Sequence, residues 1–136
     1  MSAEISIYNP ETMAKPLGLY SHVARSKAGE YLHIAGQVSI DRAGKVVGSK
    51  DFGAQMRQTY ENLRAALESA GAGFADVVKY TTYITRKQDL PEYRTVRNEL
   101  YGDFYPDGNY PPNTLLVVDG LVNDELLVEI EAVAAV

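Results

Sequence analysis

The order of hydrophobic patterns predicts an α+β fold, a mixed β-sheet with two helices packed on one face, and three observations carry it. Strand-like alternation and helical spacing succeed one another as two strands, helix, strand, helix, two strands. Each helical segment has one apolar face, which suits it to cover one side of a sheet. Strand stretches that stay apolar on both faces, as in LLVVD, call for cover on the second side too, and a homo-oligomer with sheets facing one another supplies it.

After an irregular start, YSHVARS (20–26) and YLHIAGQVSI (31–40) have the alternation and β-branched content of strands, and AGE between them reads as the turn of a hairpin. Over 51–70, Phe52, Met56, Tyr60, Leu63, Leu67 and Ala70 recur three or four apart, one face of a helix. Gly71 follows as a natural C′ residue because it tolerates positive φ. DVVKYTTYITR (76–86) is rich in Val, Thr, Tyr and Ile and reads as a strand. A second helix starts near Asp89, which can cap it, and Pro91, which suits a first turn; Tyr93, Val96, Leu100 and Phe104 continue at helical spacing. Turn-rich YPDGNYPP then releases the chain into TLLVVD and the closing LLVEIEAVAAV.

A chain of 136 residues with 46% hydrophobic content suits one domain able to bury its own core, and no linker, repeat or low-complexity tract divides it. The net charge of −5 offers no basic surplus to neutralise a phosphate backbone, so nucleic acid is not the expected partner. Zero cysteines exclude disulfides, thiolate nucleophiles and Cys-ligated zinc. The beginning lacks signal-peptide features and no apolar run reaches membrane-spanning length, so a soluble, cytoplasmic protein is expected.

The closing strand poses a chemical question. Period-two alternation puts Leu127, Glu129, Glu131 and Val133 on one face and Val128, Ile130 and Ala132 on the other. Two glutamates thus interrupt one apolar face. An edge strand bearing charge against aggregation explains them blandly. A half-buried carboxylate with a raised pKa, able to exchange protons with water or substrate near neutrality, explains them chemically.

LGLYSHV, YLHIAGQVSID, QTYENLRAALESAG, DVVKYTTYI, the YPP-then-strand segment and VEIEAVA, taken in this order, resemble the reactive-intermediate deaminase (Rid, YjgF or endoribonuclease L-PSP) family from about Gly18 to the end of the chain. The resemblance implies a chorismate-mutase-like fold and a homotrimer with ligand clefts between subunits. It also implies hydrolysis of enamines and imines to a carbonyl compound and ammonia, with no metal or organic cofactor.

Carried over residue by residue, the resemblance makes Glu129 the water-orienting catalytic group and leaves Glu131 structural. Tyr20 matches a cleft tyrosine, and Gly36 matches a glycine whose backbone borders the ligand. Asn113 stands where the archetypes carry an arginine that grips a substrate carboxylate, and losing that charge removes about 1.5–3 kcal/mol of binding. The substrate expected is therefore less dependent on a carboxylate.

Arg97 replaces a helix asparagine and has two readings. It is a relocated anion clamp, or an exposed arginine paired with Glu92 or Glu99, the commoner state for such a residue. His22 and His33 lack the clustered carboxylates or cysteines of a metal site and read as structural, although His22 shares a strand face with Tyr20 in this reading. The glycines of AGAGF lack phosphate-loop spacing and mark turns. Two classes follow: a small imine or enamine hydrolase, favoured by Glu129, and a non-catalytic metabolite-binding or regulatory trimer, favoured by Asn113. A nuclease is disfavoured by the acidic charge.

Overall fold

The computed structural model describes residues 3–136. Its elements, in order, are β1 (Glu4–Tyr8), β2 (Val23–Lys27), β3 (Tyr31–Val38), α1 (Phe52–Glu68), β4 (Val77–Ile84), α2 (Leu90–Phe104), β5 (Asn113–Val117) and β6 (Val128–Ala135), with short 3-10 turns at Phe74–Asp76 and Lys87–Asp89. Four strands form one sheet in the order β3-β6-β4-β5. The β4–β5 pair is parallel and the other two pairs are antiparallel, so the sheet is mixed as predicted. Parallel neighbours need a long crossover, and α2 provides it. Among the described residues no helix is long and apolar enough to cross a membrane.

Both helices lie on one face of this sheet. Phe52, Met56, Tyr60, Leu63 and Leu67 of α1 and Tyr93, Val96 and Tyr101 of α2 are buried against Val77, Tyr80, Ile84, Val128, Ile130, Ala132 and Ala134. The core is unusually phenolic, and its hydroxyls find one another: Tyr60 with Tyr101 at 3.1 Å, Tyr80 with Tyr105 at 2.7 Å, and Tyr105 donating to the Phe74 carbonyl at 3.0 Å. Burial pushes the Tyr60, Tyr80 and Tyr101 phenols well above their ordinary range, so they stay neutral and serve as packing and hydrogen-bonding groups.

The helix ends test the capping expectations. Asp51 caps α1 by accepting from the Ala54 amide at 3.1 Å, and Gly71 takes φ +71° just beyond the helix. Ala70 falls in that exposed turn rather than on the apolar face. Asp89 does not cap α2 with its side chain, because its carboxylate is engaged by the Arg86 fork at 2.8 and 2.9 Å. Leu100 and Phe104 are half-buried.

The beginning of the chain departs most from the sequence reading. The stretch read as irregular contains β1, which pairs with β2 in a separate antiparallel ribbon, Glu4 opposite Lys27 through Tyr8 opposite Val23. The expected hairpin between 20–26 and 31–40 is therefore absent. Its turn residues bond to the end of the chain instead: the Gly29 and Glu30 amides donate to the Val136 carbonyl at 3.1 and 3.0 Å, and the Val136 amide donates to Glu30 O at 3.0 Å. These bonds lock β3 beside β6, and β2 takes β1 as its partner.

Candidate functional site

Glu129 sits on β6, a central strand between β3 and β4, so the edge-strand explanation of the two carboxylates fails. Val128, Ile130, Ala132 and Ala134 are buried toward the helices, while Glu129, Glu131 and Val133 are half-buried on the opposite, open face. The start of the strand is fixed by buried Gln55, which accepts from the Leu127 amide at 2.8 Å and donates to the Glu125 and Gly48 carbonyls at 2.8 and 3.1 Å. One side chain thereby sets the register from which Glu129 projects.

The two glutamates differ in their surroundings. Glu131 accepts from the Tyr83 hydroxyl at 2.8 Å and is held in place. Among the described residues, no hydrogen bond engages the Glu129 carboxylate. Burial first, and the neighbouring charge of Glu131 second, hold Glu129 above the usual carboxylate range.

Gly36 meets Glu129 directly. The β3–β6 register shifts between Ile34 and Gln37, and the Ala35–Gly36 irregularity brings the β3 backbone against the carboxylate. A Cβ at Gly36 would lie 2.7 Å from Glu129 Cδ and 2.9 Å from Cγ, and would overlap Oε2. Close approach of backbone to a functional side chain is what glycine permits here.

A second cluster forms on the helix face. Thr82 donates to Asn113 Oδ1 at 2.8 Å, and Asn113 Nδ2 donates to the Tyr93 hydroxyl at 3.3 Å. The Arg97 guanidinium lies over the Tyr93 ring, 5.3 Å from its centroid. Burial raises the Tyr93 phenol, and the Arg97 charge opposes that rise. Arg97 is only 9% exposed, which overturns the reading of an exposed helical ion pair. Both acids proposed for it are occupied elsewhere: Glu92 accepts from the Gly53 amide at 3.2 Å, and Glu99 pairs with Arg57.

Tyr20 precedes β2 rather than lying within it, so the strand face it was expected to share with His22 does not exist. Its hydroxyl accepts from the Leu17 amide at 3.2 Å, which closes the loop 17–20, and its ring meets His22 edge-on. His22 is a structural residue, its Nε2 lying 2.7 Å from the Ala14 carbonyl. The same loop reaches α2 at Gly18, where a Cβ would lie 3.2 Å from both terminal nitrogens of Arg97.

The structure thus joins Glu129 with Gly36, and Asn113 with Arg97, but sets the two groups on opposite faces of the sheet. Thr82 is opposite Ile130 and Tyr83 is opposite Glu129 across β4 and β6. Thr82 carries Asn113 on the buried side, and Tyr83 carries Glu131 on the open side. Sequence reasoning missed Thr82, Tyr83 and Tyr93 as site residues. Tyr93 registered only as a helix-face apolar, and the strand pairing that gives Thr82 and Tyr83 their roles leaves no local trace. Among the described residues no three His, Asp or Glu side chains lie close enough to hold a metal ion.

Comparison with known proteins gives one consistent answer. The family profile described as endoribonuclease L-PSP matches residues 11–136. A RutC family protein of Pyrococcus horikoshii is 38% identical over 91% of this chain and 92% of its own length. The crystal structure of YyfB from Yersinia pestis, a protein of unknown function in the conserved Rid family, superposes with a TM-score of 0.86 at 37% identity over 97% of this chain and 98% of that one. RidA from an Antarctic Psychrobacter superposes with a TM-score of 0.67 at 27% identity over 96% and 99%.

Proposed function

Because the chain belongs to the Rid (YjgF, endoribonuclease L-PSP) family, we propose that it is a cofactor-independent hydrolase of C=N bonds. It deaminates a small reactive imine or enamine in clefts between the subunits of a cytoplasmic homotrimer. The observation that carries this reading is Glu129: a carboxylate on a central strand, free of hydrogen bonds among the described residues and raised in pKa by burial and by Glu131.

The chemistry asked of it is modest. An imine carbon is electrophilic, so an oriented water suffices as the nucleophile. Glu129 takes a proton from that water as its oxygen bonds to the imine carbon and returns it to the nitrogen, giving a neutral carbinolamine. Glu129 then takes the hydroxyl proton as the C=O forms and delivers it to the nitrogen as the C–N bond breaks, leaving a carbonyl compound and ammonia, with one water consumed. Its raised pKa brings it nearer the range in which a group both accepts and releases a proton at working pH. Gly36 leaves room for this carboxylate against β3, where a side chain would fill the space.

Trimerisation is part of the proposal, and the exposed apolar residues Leu116 and Val117 of β5 give it a surface to bury. The second reading, a non-catalytic metabolite-binding trimer, is favoured by Asn113, whose amide is already engaged by Thr82 and Tyr93. The net charge of −5 weighs against a nucleic-acid substrate.

The test is the disappearance of imines generated in situ by an amino-acid oxidase, compared between the protein and its Glu129→Gln variant. Loss of turnover with Glu129 and retained assembly support the hydrolase. Tight metabolite binding with no turnover of any imine or enamine supports the binder.

A further inference from the structure

Arg97 is an unusual buried cation. Its residue is nine-tenths buried, its Nε has no hydrogen-bond partner, and it pairs with no carboxylate among the described residues. Among the described residues its one well-formed bond to an acceptor is long, 3.4 Å from Nη2 to Asn98 Oδ1, and its charge and hydrogen-bonding reach toward the Tyr93 hydroxyl pull that phenol down against the effect of burial. An arginine cannot shed its proton to escape such a position, and an uncompensated buried charge is costly unless something else neutralises it. Tyr93 offers the face of a ring, which offsets part of that cost without supplying an anion.

The surroundings resemble a receptor more than an ordinary core. Asn113 stands beside the arginine through Tyr93, with Oδ1 accepting from Thr82 and Nδ2 donating to the Tyr93 hydroxyl. Its amide is spent on placing that ring under the guanidinium, so Asn113 is a positioning residue. Above the guanidinium lies Gly18, where any side chain would press on both terminal nitrogens. Gly18 and Tyr20 also form part of the wall of a cleft of about 650 Å³. One residue without a side chain therefore separates the unneutralised fork from an open cleft.

We propose that Arg97 is the anion-binding residue of this protein, receiving the carboxylate of a small ligand between α2 and the loop 17–20, with Tyr93 as its platform and Asn113 holding that platform. A planar guanidinium matches a carboxylate by two parallel hydrogen bonds, which makes a carboxylate the favoured class over a spherical ion. The inference rests on the proposed function in taking that ligand to be the imine substrate or its keto-acid product. The expectation of a substrate less dependent on a carboxylate then gives way, because the positive charge is present at position 97 rather than 113.

The experiment separates binding from turnover. 2-Oxobutanoate, a stable keto acid, and inorganic phosphate are titrated calorimetrically into the assembled protein and into Arg97→Gln, Arg97→Lys and Gly18→Ala, each first checked for cooperative unfolding and unchanged assembly. Keto-acid affinity should fall roughly 10- to 150-fold in Arg97→Gln, the range set by a charge-assisted hydrogen-bonding pair. Arg97→Lys should lie between, and Gly18→Ala, whose methyl crowds both terminal nitrogens, should weaken binding with the arginine itself retained, which keeps the test intact if Arg97→Gln does not fold.

In turnover, Arg97→Gln should raise KM for imines of carboxylate substrates and leave kcat nearly unchanged. Equal keto-acid affinity with and without Arg97, or no keto-acid binding by the starting protein, overturns the proposal. Phosphate binding tighter than keto-acid binding overturns its carboxylate assignment. Arg97-dependent keto-acid binding without any Glu129-dependent turnover would sink the hydrolase and leave this inference standing.

Discussion

Replacing Gly36 with alanine tests the contact on which the catalytic reading turns. The added methyl would meet Glu129 Cδ at 2.7 Å and Cγ at 2.9 Å, distances that real Cβ atoms do not tolerate. The Glu129 side chain or the β3 backbone must move, and overpacking of this kind costs about 1–3 kcal/mol. The backbone itself is not the obstacle, since Gly36 is not among the glycines with positive φ. In a Glu129→Ala background the obstructing atoms are gone, and Gly36→Ala should be neutral or stabilising by about 0.4–1 kcal/mol through the unfolded chain.

Urea unfolding of the two single variants and the double variant at one protomer concentration reads this as a cycle, with a coupling of roughly 1–3 kcal/mol expected for groups in contact. Turnover should fall in Gly36→Ala as Glu129 is displaced. An equal cost of Gly36→Ala in both backgrounds would refute the contact, and full activity in Gly36→Ala would refute its importance.

Three further outcomes follow from the same geometry. Gln55→Ala leaves the buried Leu127 amide without its acceptor and two carbonyls without their donor, so it should cost about 3 kcal/mol or more in urea unfolding and blur the position of Glu129. Glu129→Gln should stabilise the protein at neutral pH: folding raises this carboxyl's pKa, so the folded state disfavours its charge once pH exceeds the unfolded value, and the gain should vanish as pH falls below that value. Asp89→Ala removes the buried carboxylate that the Arg86 fork engages and should cost about 1–2 kcal/mol by thermal unfolding with the helix content of α2 unchanged, because Asp89 makes no side-chain cap bond; lost helix content would refute this.

The parts of this fold that were legible are those written in local periodicity. The apolar residues of α1 at 52, 56, 60, 63 and 67 are all buried, and the alternation in β6 assigned Glu129 and Glu131 to the face away from Val128, Ile130 and Ala132. What local pattern cannot encode is which strand lies beside which. AGE has the composition of a hairpin turn, yet its amides bond Val136, more than a hundred residues away, and the ribbon partner of β2 came from a stretch that read as irregular.

The same limit governed the site. Arg97 looked like a surface arginine because helical spacing offers it Glu92 and Glu99 as neighbours. Only tertiary packing reveals that Gly53 and Arg57 on α1 engage those two acids first. The resemblance to a family pointed to Glu129, Gly36, Asn113 and Arg97, but it could not say that they form two separate groups.

That separation carries the last prediction. A ligand held by Arg97 and attacked by a water on Glu129 requires both groups at one cleft, yet the chain places them on opposite faces of its own sheet. If they act on one molecule, they must come from different copies, with Glu129 of one subunit facing Arg97 of another. Cyclic assembly of identical chains allows this, because every interface then presents the same pair. Glu129→Gln and Arg97→Gln proteins, each assayed alone with a carboxylate imine at low concentration, should both be impaired. Unfolded together in equal amounts and refolded as mixed oligomers, they should regain activity in about one quarter of the clefts, the share pairing an intact Glu129 with an intact neighbouring Arg97. A site built within one chain would give no recovery on mixing, since every chain would still carry one lesion. That result would rule out a cleft that pairs Glu129 of one subunit with Arg97 of another.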